Sequence, residues 1–247
     1  MILGLIPSRL NSKRLKKKPL LKIDGLPIIV HSYKRAKLSK KLDEVLVCTD
    51  HKSIVDVVSK NGGKAVLTSK KHRNGTERIY EVAKKRKKLK LIVDIQGDQP
   101  LIDPFVIDKV VDFHNKNKHF DIVVPSMPVK DPRHVSSRNL VKVIFSDNGK
   151  IIYFSRAKAP FNYKNKKMQY FRDLSIVSFL PEALKKYNSL KMGKIEKIEG
   201  IELLRALENN MNIGTFIVYG SSFSVDVNQD LMRAIDVMPN DRIRKLY

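Results

Sequence analysis

A regular alternation over the first 120 residues constrains this chain most. Short apolar runs at 2–6, 44–49, 65–68 and 91–95 are separated by stretches whose apolar residues recur at helical spacing. Continuous apolar runs of this length read as strands buried on both faces, as in a parallel sheet. Helices are predicted from Pro27 through Ala36, over 53–60 with Asn61-Gly62-Gly63 closing it, from a polar loop at 72–78 to about residue 88, and over 104–115. Repeated β-α order with right-handed crossovers gives an α/β fold: a mostly parallel sheet with helices on both faces.

The second half is less regular. Strands are predicted at 121–129, 140–145, 151–154, 174–180 and 213–219, with a turn at Asp147-Asn148-Gly149. Residues 159–169 read as an exposed excursion, 196–207 as a helix that gives Glu196, Glu199 and Glu202 a solvated face, and Asn228 starts a closing helix. The expected organisation is one domain, 1–247, with roughly 120–195 as an antiparallel addition to the sheet, of the kind that often serves as a dimer platform.

Composition narrows the function. Lys and Arg number 49 against 25 Asp and Glu, a net charge of +24. The cations are scattered, at 16–18, 84–88, 164–167 and 185–186, with no recognisable nucleic-acid module among them. The expectation is therefore no specific nucleic-acid partner, with non-specific polyanion binding at low salt. No apolar run approaches the roughly 18 residues of a bilayer span, and the basic cluster follows the first apolar run instead of preceding it as in a signal peptide. The single Cys48 excludes an intrachain disulfide and fits a reducing cytoplasm. The expected protein is cytoplasmic, without membrane insertion.

Chemistry concentrates after the predicted strands. Past the carboxyl end of strand 2–6, where open α/β sheets bind ligands, come Pro7-Ser8-Arg9 and then Arg14 and Lys18. Backbone N–H groups of Ser8 and Arg9 with these cations suit a nucleoside triphosphate, while a solvated basic loop is the plainer reading. Asp98, in Gln96-Gly97-Asp98, ends strand 91–95 and suits Mg²⁺, or an ordinary Asx turn. Asp226 ends another predicted strand, and two carboxylates from separate strands at one metal would serve nucleotidyl transfer. Asn74-Gly75-Thr76-Glu77-Arg78 opens a helix with Thr76 as expected N-cap, and its N–H groups can face a base or ribose. Arg156 can clamp a substrate carboxylate or decorate the surface. The histidines have no Ser or Cys partner in view, which disfavours a hydrolase triad.

Taken in order, these stretches resemble the bacterial cytidylyltransferases that activate 3-deoxy-manno-octulosonate (Kdo). The match includes Pro7-Ser8-Arg9, Ser12, Arg14-Leu15, Lys18-Pro19-Leu20, Cys48-Thr49-Asp50-His51, Gly75-Thr76-Glu77-Arg78 and Gln96-Gly97-Asp98. It continues through Tyr153-Phe154-Ser155-Arg156-Ala157 with Pro160, Glu199, Glu202-Leu203-Leu204-Arg205 and Val225-Asp226. The resemblance implies a Rossmann-like fold of the nucleotide-diphospho-sugar transferase type with an antiparallel dimerisation subdomain. It further implies CTP, Mg²⁺, a sugar-acid acceptor, a homodimer and a place in lipopolysaccharide or capsule assembly. By the same resemblance Arg9, Lys18 and Asp98 are catalytic, and CTP is bound by Pro7, Ser8, Arg9, Arg14, Lys18, Gly75, Thr76, Arg78 and Gln96. Asp98 and Asp226 hold the metal, while Gln96, Arg156, Asp173, Val177, Glu202 and Leu203 face the sugar.

The chain also departs from that pattern. Lys17 stands where the family has glycine, and Gln99 where it has glutamate. Asp173-Leu174-Ser175-Ile176-Val177-Ser178 stands where the family has a His-x-Gly-x-Tyr-Gly pattern, and Leu203 replaces a glutamine. A substrate hydroxyl left facing Val177 or Leu203 would cost about 1–3 kcal/mol. Asp173 in place of histidine would repel a sugar carboxylate and attract an amine. The alternatives that follow are the same chemistry on an amino-ulosonic or nonulosonic acid, or an inactive basic nucleotide- or polyanion-binding relative.

Overall fold

The computed structural model describes residues 1–12, 14–164 and 166–247, and the chain divides into two compact units, 1–111 with 221–247, and 112–220. In the first, β1 (Ile2–Ser8), β4 (Glu44–Thr49), β5 (Ala65–Leu67) and β6 (Leu91–Ile95) lie in the order β6-β1-β4-β5, every pairing parallel. The register sets Pro7 beside Cys48 and Ser8 beside Thr49. Leu3, Leu5, Ile6, Val47 and Val93 are fully buried, as continuous apolar strands require.

Helices α1 (Ile28–Lys37), α2 (Lys52–Lys60) and α3 (Gly75–Ala83) follow β-strands in the expected positions. Pro27 caps α1, and the Gly63 N–H returns to the Val58 carbonyl to close α2. The third helix ends at Ala83, short of the expected residue 88, and its N-cap is Asn74, whose Oδ1 accepts from the Glu77 N–H at 2.9 Å. Thr76 lies inside the first turn. An unforeseen hairpin, β2 (Lys22–Ile23) and β3 (Leu26–Pro27), turns at Asp24 and Gly25, both at positive φ. The buried His31 donates through Nε2 to the Ile23 carbonyl, so Nδ1 accepts from the Tyr247 hydroxyl, and burial pulls its pKa down to about 4.

The closing helix, Asn228–Val237, packs in a core of Ile23, Ile28, Leu101, Val225, Ala234 and Met238, with Leu15, Leu21, Phe223 and Leu231 at its margin. That cluster ties the loop after β1, the turn after β6 and the segment before the closing helix into one body.

Helix α4 (Pro104–Lys116) leads into the second unit. There β7 (Ile122–Val123) pairs antiparallel with β12 (Ile176–Phe179) and parallel with β13 (Ile213–Gly214). An antiparallel sheet runs β10 (Ile151–Ser155), β9 (Lys142–Phe145), β11 (Phe171–Asp173), β8 (Ser126–Pro128). Helices α5 (Pro181–Ser189), α6 (Lys194–Glu199) and α7 (Leu204–Glu208) complete it.

Four expected elements are broken or shortened. The strand at 121–129 becomes β7 and β8. The strand at 174–180 begins only at Ile176, because Ser175 is left-handed with φ 52° and separates it from β11. The helix at 196–207 stops at Gly200, φ 63°, and resumes as α7. Glu196 is buried there, so the solvated glutamate face is corrected. The strand at 213–219 shortens to β13. Of the excursion expected at 159–169, Asn165 lies outside the described residues, and Phe161 and Tyr163 are more than four-fifths exposed.

Candidate active site

Pro7 sits where β1 runs out, and two glycines crowd it. A Cβ on Gly75 would come within 3.2 Å of the Pro7 ring, and one on Gly97 within 3.0 Å of the Pro7 carbonyl oxygen. Loops after three parallel strands thereby approach one strand end at backbone distance.

After β1 the chain passes the exposed Arg9, then tightens into a single 3-10 turn, Lys18–Leu20, with Pro19 buried behind it. Lys17 enters that turn at φ 54°, ψ 32°, the left-handed region, which accounts for glycine at the corresponding place in the family the sequence resembles. A lysine there carries about 1–2 kcal/mol of backbone strain, against about 0.5–1 kcal/mol of extra chain entropy for glycine. Lys17→Gly is expected to stabilise the protein by about 0.5–1 kcal/mol, measured as a shift in urea midpoint at constant slope.

The turn aims Lys18 inward, its side chain 14% exposed, onto two carboxylates. Its Nζ donates to Asp98 Oδ2 at 2.7 Å and to Asp226 Oδ1 at 3.2 Å. Arg14 Nη2 donates to the same Asp226 oxygen at 2.8 Å. The carboxylates come together because the Val225 N–H donates to the Asp98 carbonyl at 2.9 Å, while the buried Val225 anchors the segment in the core. The Asp230 carboxylate accepts from the Asp226 and Val227 N–H groups and starts the closing helix. Gln99, buried, accepts from Ser222 and donates to Ser224, so the residue that replaces glutamate braces the segment that carries Asp226.

Arg78 is buried beside the same strand ends. Only 3% exposed, it donates to Thr68 Oγ1 at 2.6 Å, to the Ser69 carbonyl and to Asp50 Oδ2 at 3.0 Å. Asp50 Oδ1 also accepts from the Leu10 N–H, at 3.4 Å. Arg78 and Asp50 therefore hold the start of the basic loop against the strand ends. The half-buried Gln96 donates to Asp94.

The second unit carries its own cluster at one end of the antiparallel sheet. Ser155, Lys142 and Arg172 share a row of the register, and the Asp173 N–H donates to the Val141 carbonyl in the next row, level with Arg156. Arg156 donates from Nε to the Glu199 carbonyl at 2.7 Å, from Nη1 to Arg138 at 2.7 Å and from Nη2 to Gly200 at 3.3 Å. Guanidinium has five donors, so two remain. Its N–H and the Ser155 hydroxyl both bond the Glu199 carboxylate.

Lys142, wholly buried, donates to the Ser137, Leu140 and Arg156 carbonyls, and burial pulls its pKa down. Nothing in the sequence marked it. Asp173 carries no salt bridge among the described residues; burial pushes its carboxyl up to about 6 against the weaker opposing fields of Arg172 and Arg156. Val177 and Leu203 are buried in the apolar interior, and the carbonyl of the half-buried Glu202 accepts from the Tyr187 hydroxyl.

Among the described residues no group of three or more His, Cys, Asp or Glu converges as a metal cage, and no helix is long and apolar enough to cross a membrane. Asp98 and Asp226 still fit a divalent ion, since their oxygens already meet one cationic atom. Mg²⁺ commonly takes one or two protein carboxylates and completes its shell with water and phosphate.

A parallel sheet with paired carboxylates and a basic loop at its carboxyl edge defines a nucleotidyl-transfer site. The chain belongs to the cytidylyltransferase family, whose sequence model matches residues 3–213. It is 39% identical over 235 residues to the 3-deoxy-manno-octulosonate cytidylyltransferase of Leptospira interrogans serovar Lai, with 95% of each chain covered. It is 36% identical over 242 residues to the enzyme of that name from Fusobacterium nucleatum, with 98% of each covered. The solved structure of CMP:2-keto-3-deoxy-manno-octonic acid synthetase complexed with CTP superposes with a TM-score of 0.92 at 29% identity, covering 97% of this chain and 98% of that one.

Proposed function

We propose that this nucleotidyltransferase moves CMP from CTP to 3-deoxy-manno-octulosonate or a closely related ulosonic acid and releases pyrophosphate. The observation that carries the reading is the meeting of Asp98 and Asp226 with Lys18 and Arg14 beside the end of β1. The names of the full-length relatives support both nucleotide and acceptor. Arg9, Arg14 and Lys18, with the N–H groups after Pro7, neutralise and orient the triphosphate. Asp98 and Asp226 would hold Mg²⁺, which would supply charge withdrawal from phosphate oxygens. Gly75 and Thr76, in the first turn of α3, face the cytidine or ribose, and Gln96 offers its carboxamide. Arg156 has two N–H donors left for the sugar carboxylate. The anomeric hydroxyl attacks the α-phosphorus in line, its proton passes to solvent, and the bond from the α-phosphorus to the oxygen bridging to the β-phosphorus breaks, its electron pair leaving with pyrophosphate. Positioning and charge neutralisation supply most of the rate.

Exposed Ile152 and Ile198 with Phe161 and Tyr163 support a homodimer formed through the second unit. The cytoplasm and surface-glycan assembly, in lipopolysaccharide or capsule, complete the proposal.

One observation favours a narrower reading. Asp173 has no salt bridge among the described residues, only the weaker fields of Arg172 and Arg156, and an acceptor bearing an ammonium group would give it a direct partner. The test is pyrophosphate release from a panel of nucleotides crossed with ulosonic acids, with and without Mg²⁺. CTP with 3-deoxy-manno-octulosonate is expected to react, dependent on Mg²⁺. A preference of tenfold or more for an amine-bearing acid would select the narrower reading, and silence from every pair would overturn both.

A further inference from the structure

The ammonium of Lys18 lies between the two carboxylates that suit a divalent ion. It donates to Asp98 Oδ2 and Asp226 Oδ1, and Arg14 donates to that same Asp226 oxygen. The two cations balance the two carboxylates. A divalent ion that bridged these oxygens would compete with the ammonium for the same lone pairs. With Lys18 and Arg14 still in place, it would also leave a partly buried cluster two charges positive, where repulsion is screened less than in bulk water.

The backbone cannot relieve that conflict easily. The Lys18 N–H donates to the Leu15 carbonyl, the Leu21 N–H donates to the Lys18 carbonyl, and Pro19 is buried beneath. The side chain can move, because a lysine ammonium rides on a flexible four-carbon stem. A triphosphate is what would draw it away, since it offers Lys18 and Arg14 more negative charge than two carboxylates do.

We infer that Lys18 is an exchangeable counter-cation: it closes the Asp98–Asp226 pair to free divalent ions and yields it when the triphosphate arrives. The inference rests on the metal role proposed above for these carboxylates. Lys18 then contributes twice, first as a stand-in for the metal and then as a ligand of the phosphates. The divalent ion enters with the nucleotide or after it. Because coupling between sites is reciprocal, the same exchange makes the metal favour nucleotide binding.

The test measures Mn²⁺ binding to the full chain without nucleotide, from the paramagnetic resonance signal of free Mn²⁺. Lys18→Met is expected to bind Mn²⁺ at least tenfold more tightly than the parent chain, and Lys18→Gln to do the same if the methionine variant is unstable. Lys17→Met removes an equal charge one residue away and is expected to stay within twofold of the parent. Adding Asp98→Asn to Lys18→Met is expected to erase the gain. Affinity within threefold of the parent for both neutral variants would overturn the inference, as would an equal gain in Lys17→Met or a gain that survives Asp98→Asn. The metal reading fails by a different measurement: Mg²⁺-dependent turnover that survives Asp98→Asn alone would remove Asp98 from metal binding, whatever the Mn²⁺ arms show.

Discussion

Asp98→Asn is expected to lower kcat/KM for CTP by at least about 10³-fold while leaving the fold intact. The catalytic loss is large because metal-assisted charge stabilisation supplies several kcal/mol, and each 1.4 kcal/mol is about a factor of ten. The structural loss is small. Asp98 is 27% exposed, its partner Lys18 keeps Asp226, and an ion pair of this exposure contributes about 1 kcal/mol or less. The backbone carbonyl that receives Val225 is untouched. Turnover and urea denaturation of the same sample check both halves. A variant with more than a tenth of parental activity would refute the role assigned to this carboxylate.

The largest expected effect on stability lies in the second unit. Arg205 and Glu196, with side chains 1% and 4% exposed, form a bidentate pair at 2.8 and 2.6 Å. The guanidinium faces the Tyr187 ring 5.0 Å from its centroid, and Glu196 holds the Arg205 pKa above its ordinary value. Arg205→Leu strands a buried carboxylate, and losing one partner of such a pair costs about 3–5 kcal/mol. In a chain of this size that corresponds to roughly 6–20 °C in melting temperature. Pairing Arg205→Leu with Glu196→Leu is expected to recover most of the loss, because removing both charges removes the desolvation penalty. Calorimetry of the single and double variants checks this; an unchanged single variant would show that the pair contributes nothing.

How much was legible follows from where the information is carried. Strands β1, β4 and β6 declare themselves because burial on both faces leaves continuous apolar runs. Asp98 was readable as a carboxylate just past β6, and Asp226 as a second candidate carboxylate, although no described strand ends at it and it stands just before the closing helix. Their meeting was not, because it depends on one backbone hydrogen bond between Val225 and Asp98, distant in sequence. Arg78 was legible as part of a helix-opening motif, but its bonds to Thr68, Ser69 and Asp50, which use three of its five donors, were not. The breaks at Ser175 and Gly200 escaped notice for different reasons. Serine seldom signals a left-handed residue, and a glycine can either end a helix in that conformation or sit inside one, so Gly200 does not by its identity place the break. The buried Lys142 has no sequence signature, since its partners are three carbonyls that any residues could provide.

The return of the segment 221–247 to the first unit has a consequence for how the protein is made. Arg14 and Asp226 meet across 212 residues, and the core around Ile23 and Leu101 is closed by Val225, Ala234 and Met238. On the ribosome, the whole second unit is synthesised between the two halves of the first. At about 5–20 residues per second that interval lasts roughly 5–20 s. The nascent first unit spends it with an unsealed apolar surface and no second carboxylate. The second unit, continuous in sequence, has no such wait, so catalytic competence arrives with the final stretch of chain and not with the sheet that frames it.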